Sequence, residues 1–469
     1  MKLAKSLLLG SATAFVAVAG ANAADLPSKK AAPVNYVKVC DAYGAGFFNI
    51  PGTDTCIKVG GRVRADYSYS QAKDVYDKLA AGTAQGTSVL KLNKGSQNQF
   101  GSEVRGRIDL DARTPTAYGT VQAVTSVRLA RTTGVLQDSA VQTDPADPAK
   151  NNSINTSAPS ATLEASYIRF AGFTFGNAKD NFSFMPSIFY GAGHWASFAN
   201  GSNGISYTAV LGGGFSATLG FQDPAYTAGK PTVDAVTTVT GKNVYASYRG
   251  VPQINARLDW DQSWGSVAVK AATNSYKLVD GASTVDPVAY SKSKQVWAAG
   301  AGVKINLPQL AAGDALWFDG GYADGMTEYT INWGSFKSSD TKRNSGGFVI
   351  NPPSIVAYNT GIESVKSWNL AGIFQHWFTP QHRTSFLASY GAWKAPTSAK
   401  ALIWSGTSGF GDGTTWNVGA QYAFIPTKDF EIGVDVLYNR VKQDVKYTTG
   451  TESKTDNGLT GRLRVERTF

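Results

Sequence analysis

The sequence predicts an all-β fold: a 16-stranded antiparallel transmembrane β-barrel preceded by a cleaved signal peptide. Three observations carry this reading. They are the composition, the alternation of charged and apolar residues along each strand, and the alternation of short and long connections between strands. The chain has 469 residues, only 17% of them charged, with 50 Gly, 11 Trp, 21 Tyr, 23 Phe and just 3 Met. Mean hydropathy is −0.18. So many aromatics exclude a disordered chain, and the composition disfavours a helical or α/β enzyme built on Leu, Met, Glu and Ala. Glycine, aromatics, Thr, Val and Ser point instead to many strands joined by turns.

The chain opens with Lys2 and Lys5, an apolar run from Leu7 to Ala19, and the small-residue stretch Ala21-Asn22-Ala23. This is the pattern of a secretory signal peptide over 1–23, too short and wrongly flanked for a membrane anchor. Its removal takes two lysines from a formal net charge of +10, leaving +8. Beyond it no apolar run of 18 residues or more occurs, so no transmembrane helix is expected. The segment 24–56 reads as a periplasmic amino-terminal stretch, starting with a Pro/Ala/Lys linker, and 57–469 as the barrel.

Alternation decides between a soluble sandwich and a membrane barrel. Arg62, Arg64 and Asp66 alternate with Val63, Ala65 and Tyr67, and Glu103, Arg105, Arg107, Asp109, Asp111 and Arg113 alternate with Val104, Ile108 and Leu110. Arg257, Asp259 and Asp261 do the same with Ala256, Leu258 and Trp260. Successive side chains of a strand point to opposite faces, so each strand has one charged and one apolar face. Aromatics gather at strand ends: Trp260 and Trp264, Tyr390 and Trp393, Tyr422 and Phe424, Phe430 and the terminal Phe469. Apolar middles with aromatic ends are the pattern of girdles at two membrane interfaces, and the charged face suits a water-filled lumen. Closure into a barrel gives every backbone polar group a partner in lipid.

Sixteen strands are expected at 57–69, 102–113, 117–131, 161–169, 172–177, 203–211, 214–222, 253–261, 265–276, 295–306, 314–323, 367–378, 382–392, 415–424, 429–443 and 459–469. Short connections around Pro115, Ala171, Gly213, Ser263, Pro308, Pro380 and Pro426 alternate with eight long ones, the last at 444–458. Short turns on one rim, long loops on the other and an even count are expected of outer-membrane barrels. The segment 243–250 looks like a strand, but counting it breaks the alternation, so it is placed in the fourth long loop. In the last strand Leu463, Val465, Arg467 and Phe469 share one face, which sets Phe469 at the periplasmic interface and leaves Arg467 on an otherwise apolar side.

Three stretches resemble a known family. YVKVCDAYGAGFFNIPGTDTCIKVGGRVRADYSYS near the amino terminus is similar to the signature of alphaproteobacterial porins, the group found in rhizobia and brucellae, and RFAGFTFGNAKDNFSF and LDWDQSWGSV resemble it too. The resemblance runs from Tyr36 to Phe469. It implies a homotrimeric outer-membrane porin whose third long loop folds into the lumen as a constriction.

Cys40 and Cys56 are the two cysteines of an exported chain, and a disulfide between them is expected in the oxidising periplasm. It would contribute about 3 kcal/mol by loop closure and pin the amino-terminal segment to the first strand. Free thiols or a metal pair are the alternatives, although two ligands seldom hold a structural metal. In the candidate constriction loop, Asp180 is the acid to set against lumen arginines, and Arg62, Arg64, Arg105 and Arg107 are the arginines expected to face it. Opposed charges at a narrowing select ions; the bland alternative is paired lumen charges remote from any narrowing.

The positive balance fits the phosphates of lipopolysaccharide and a mild anion preference better than nucleic acid. His194, His376 and His382 are the only histidines; His376 and His382 read as turn or interface residues, since no carboxylate or cysteine joins them in the sequence, and spacing nominates no Ser/Asp partner for His194. No nucleophile-base set or phosphate-binding glycine loop is found, so no enzyme and no cofactor are expected. The function expected is passive diffusion of small hydrophilic solutes and ions. The alternative is a structural or surface-recognition barrel, adhesin or receptor, with little transport.

Overall fold

A computed structural model describes residues 39–70, 75–78, 89–92, 99–134, 158–190, 201–223, 233–235, 244–248, 251–280, 293–331, 352, 354–358, 361–397, 408–447 and 450–469. The segment 1–23 lies outside them. Sixteen long strands form the barrel: β1 Cys56–Ser70, β2 Phe100–Thr116, β3 Gly119–Thr132, β4 Ala158–Phe170, β5 Phe173–Lys179, β6 Gly201–Gly212, β7 Phe215–Gln222, β8 Gln253–Gln262, β9 Gly265–Asp280, β10 Ser293–Asn306, β11 Ala315–Asp324, β12 Lys366–Thr379, β13 His382–Lys394, β14 Ser408–Thr427, β15 Phe430–Tyr447 and β16 Gly450–Thr468. All sixteen expected strands are present in order. Each pairs antiparallel with its neighbour, and β16 closes on β1 from Arg62 opposite Thr468 to Ser70 opposite Thr460.

Turn chemistry sets the short rim. The β6–β7 turn uses Gly213 and Gly214, both at positive φ (59° and 84°). A two-residue hairpin turn of this kind needs positive φ at both positions, which glycine reaches without strain. The expectation for the last long loop fails: β15 and β16 run on to Tyr447 and Gly450, leaving only two residues between them. Their outer ends stand beyond the membrane, where no apolar face is demanded, so polar residues continue the ladder. Val244–Tyr248 is a strand, yet not an added crossing. It pairs with Tyr276–Asp280 of β9, extending the sheet above the point where β8 begins at Gln253.

The barrel is inverted relative to a soluble protein. Outward residues are exposed, as at Val104 (55%), Ile108 (54%) and Leu370 (56%). Lipid is their apolar environment. Girdles appear at both ends: Phe173, Phe215, Trp260, Trp264 and Tyr422 near the short turns, and Trp297, Tyr322, Trp368, Tyr390, Trp416 and Tyr438 near the long loops. Trp393 is a correction. It is buried on the lumen side and its indole N–H donates to the Gly411 carbonyl at 3.1 Å. Its odd number sets it on the face opposite Tyr390, a parity that its position near a strand end concealed.

Arg467 sits where β16 nears the periplasmic turn and donates to the Lys428 carbonyl, which explains a cation on the outer face. Phe469 N–H and C=O pair with Gly61 at 3.0 Å each, and the ring is 65% exposed. A side chain at Gly61 would meet that ring and the Arg107 carbonyl. Residues 39–55 pack on the periplasmic rim, where Cys40 and Cys56 are bridged with Cα atoms 6.0 Å apart. Arg113 lies 4.8 Å from the Phe47 ring centroid and 5.6 Å from that of Tyr43.

Candidate functional site: the lumen and its inward loop

The third long connection, between β5 and β6, enters the lumen because β5 stops early, after seven residues. The Asp180 carboxylate accepts the Phe182 N–H at 2.6 Å and turns the chain inward. Arg257 on β8 holds the turn by donating to the carbonyls of Asn181 (3.1 Å) and Ser183 (2.6 Å). From there residues 182–190 run along the inner wall from β8 toward β16.

An apolar underside fastens this stretch. Phe182 is 1% exposed and packs with Tyr329, Ala272, Val296 and Ala298, its ring centroid 4.3 Å from that of Tyr329. Met185 and Phe189 join Trp317, Ile373, Leu387 and Leu437. Each buried anchor contributes about 1.5–3 kcal/mol relative to exposure. Small wall residues make the room: a methyl at Gly302 would overlap the Phe184 ring, and one at Gly433 the Tyr190 side chain. Beneath Phe182 lies a fully buried ion pair, Lys270 Nζ to Asp319 at 2.7 and 2.9 Å, with the ammonium 4.8 Å from the ring centroid.

The far end is tied at Tyr190. Its N–H donates to Asp435 at 2.5 Å, its hydroxyl donates to Glu431, and Arg464 stacks 4.5 Å from its ring centroid. Burial, reinforced by Glu431, pushes the Tyr190 hydroxyl above its ordinary range, so it stays a donor. A part the sequence reading missed is the start of the sixth long connection, residues 326–331, which also turns inward. Tyr329 is fully buried, accepts from Gln253 at 2.6 Å and donates to Asp180 at 3.5 Å.

The opposite wall carries the charges. Arg62 and Arg64 of β1, Arg105 and Arg107 of β2, Arg128 of β3, and Arg462 and Arg464 of β16 share one inner surface. They are laced by Asp66, Glu103, Asp109, Glu164 and Glu466. Arg105 meets Glu103 at 2.7 Å, Arg107 meets Asp109 at 2.7 Å and Glu164 at 3.2 Å, and Arg464 meets Asp66 at 2.7 Å. Arg62 bridges Glu164 and Glu466 at 3.9 and 3.8 Å, and Arg64 reaches Glu103 at 3.4 Å. With Asp435, the cross-strand partner of Arg462, seven guanidinium groups stand against six carboxylates and leave the wall positive by one.

Arg62, Arg64, Arg105 and Arg107 are thus brought together, and Asp180 is not brought to them. Asp180 lies on the flank formed by β8, β9 and Tyr329, and β9 is eight strands from β1, half a turn of the barrel away. Which strands face each other depends on closure, which local alternation does not encode. Arg462 and Arg464 were legible as one charged face of the last strand. Barrel closure is what adds them to the wall of β1.

Contrary to the sequence reading, a carboxylate does join His376: its Nδ1 lies 2.6 Å from Asp314, brought there by strand pairing from 62 positions away, while His382 Nδ1 lies 2.6 Å from the Tyr422 hydroxyl, both in the periplasmic girdle. His194 lies outside the described residues.

The sequence pattern of the Porin subfamily matches residues 25–462. The chain belongs to that family. It is similar to porin Omp2b of Brucella suis biovar 1 (strain 1330), 26% identical over 422 residues, covering 86% of this chain and 97% of that one. Porin Omp2a of Brucella melitensis is 28% identical over 417 residues, with the same coverage. Among solved structures, the outer membrane channel DcaP of Acinetobacter baumannii superposes with a TM-score of 0.56 at 15% identity, over 90% of this chain and 99% of that one, a likeness of fold. The protein is a porin of the outer membrane, a multi-pass barrel that forms a channel.

Proposed function

We propose that this porin passes small hydrophilic solutes and ions by passive diffusion through the space between its arginine wall and its inward third connection. The observation that carries the reading is the charged wall itself, running over five adjacent strands and facing a loop whose apolar side is turned away against the barrel. Arg62 and Arg107 are 26% and 28% exposed, so they front the passage, while Arg64 and Arg105 lie behind them. A net excess of fixed cations in a narrow aqueous path raises the local anion concentration. Arg62, Arg64, Arg105 and Arg107 then act as selectivity residues. Asp180 acts by holding the loop's entry turn. No catalytic role and no cofactor are proposed.

The segment 1–23 acts as an export signal, and 24–56 as a periplasmic segment that the Cys40–Cys56 bridge ties to β1. A homotrimer is the assembly, as the resemblance to alphaproteobacterial porins implies, and outer-membrane lipid and lipopolysaccharide are its surroundings, a partner that the positive charge balance suits. Single-channel recording of the refolded mature protein under a salt gradient tests the reading. Stable steps with a reversal potential favouring anions are expected. No conductance from a correctly folded barrel overturns it and leaves the long loops as recognition surfaces.

A further inference from the structure

Six consecutive strands carry a row of outward aromatics in alternation: Trp297, Tyr322, Trp368, Tyr390, Trp416 and Tyr438 on β10 to β15. Within it Trp297 and Tyr322 lie 5.5 Å apart, Trp368 and Tyr390 5.6 Å, and Trp416 and Tyr438 5.3 Å. Such a row marks the outer interface of the bilayer. Just beyond it, toward the long loops, the same outward face carries Lys366 two residues past Trp368, Lys394 four past Tyr390, and Lys442 four past Tyr438. At about 3.3 Å per residue, these lysines stand roughly 7–13 Å beyond the aromatic row, the level of lipid headgroups. With Asp412 and Asp444 they line a groove of about 620 Å³ floored by Tyr322 and Trp368.

Cations are concentrated on this face. Lys366 and Lys394 are direct cross-strand partners, and like charges so placed repel. Three acids offset part of this charge: Asp324, the register partner of Lys366, accepts from Ser364, and Asp412 and Asp444, which line the groove, accept from the Ala395 N–H at 2.9 Å and from Ser453 at 2.5 Å. Among the described residues none of the three lysines forms an ion pair. Arg440, opposite Trp416, adds a fourth cation on the same face.

We propose that this groove is a binding site for the phosphates of an outer-leaflet lipid headgroup, held by Lys366, Lys394 and Lys442 above a Trp/Tyr floor. The site rests on the outer-membrane reading for its orientation. It needs nothing from the lumen. An anion between Lys366 and Lys394 turns their repulsion into two attractive contacts, while the aromatic floor packs against the lipid below.

The test uses delipidated full-length porin in detergent, titrated with diphosphoryl lipid A and followed by native mass spectrometry. Saturable binding is expected, weakened about tenfold or more in Lys366→Gln/Lys394→Gln/Lys442→Gln, with each exchanged lysine removing a surface contact to phosphate. Lys428→Gln, at a periplasmic turn, is the control and should bind like the parent. Dephosphorylated lipid A should bind parent and triple variant alike. Equal affinity of parent and triple variant for the diphosphoryl lipid refutes the site. Displacement by inorganic phosphate at matching concentration assigns the groove to free phosphate and overturns the lipid assignment. Conductance in planar bilayers reads the channel separately: the triple variant should conduct as the parent does, and loss of conductance in the parent itself would reject the channel reading without touching the lipid affinities.

Discussion

The Lys270–Asp319 pair gives the sharpest test of how the inward loop is held. Both side chains are fully buried, the ammonium is bonded to both carboxylate oxygens, and it faces the Phe182 ring. Removing one partner leaves an uncompensated buried charge. Asp319→Asn and Lys270→Met should therefore each destabilise by about 3–5 kcal/mol. The apolar double variant Lys270→Met/Asp319→Leu removes both charges at similar volume. It should recover most of that loss, short of the cation–π contact with Phe182, about 0.5–2 kcal/mol. Non-additivity of several kcal/mol is thus expected. Urea titration in detergent, scored by the mobility of unboiled protein on gels and by tryptophan fluorescence, measures all four proteins. Single-channel traces of the double variant should show added open-state noise as Phe182 loses its cation. Singles that cost under about 1 kcal/mol, or a double equal to their sum, would mean that the pair is hydrated by lumen water and does not act as a coupled buried unit.

Other outcomes follow from the same geometry. Arg105→Ala with Arg107→Ala should raise conductance or shift the reversal potential toward cations, and an unchanged reversal potential removes both residues from the selectivity wall. Gly302→Val should push Phe184 off the wall and widen the passage, seen as larger conductance steps from a barrel that is still heat-modifiable on gels; unchanged steps would place the narrowing elsewhere. Reduction of Cys40–Cys56 should lower stability by up to about 3 kcal/mol and release two titratable thiols. Unaltered unfolding after both thiols have been titrated would show that the bridge pins nothing.

The strand count was legible because the two-residue period is written into every membrane crossing: lipid on one side and water on the other dictate what each parity must be. Arg105, Arg107 and Ile108 announce their faces without neighbours. Where that constraint lapses, the pattern lapses too. The polar run from Val445 to Asn457 gave no sign that β15 and β16 continue, because beyond the membrane no lipid imposes the two-residue period. Val244–Tyr248 has strand composition, but its place beside β9 rather than as a crossing depends on β8 starting late.

Sequence by itself determined the class of fold, the sixteen crossings, the short-turn rim and the polarity of each face, since these rest on local residue type and period. Tertiary structure alone decided what meets across the lumen. Closing β16 on β1 joined Arg462 and Arg464 to the wall of Arg62 and Arg64, and half a turn of barrel put Asp180 beyond their reach. The path of residues 180–190 was set by distant small residues, Gly302 and Gly433, and by a buried ion pair whose members lie 49 positions apart. Contacts between strands far apart in the chain arise from closure, and no periodicity within one strand records them.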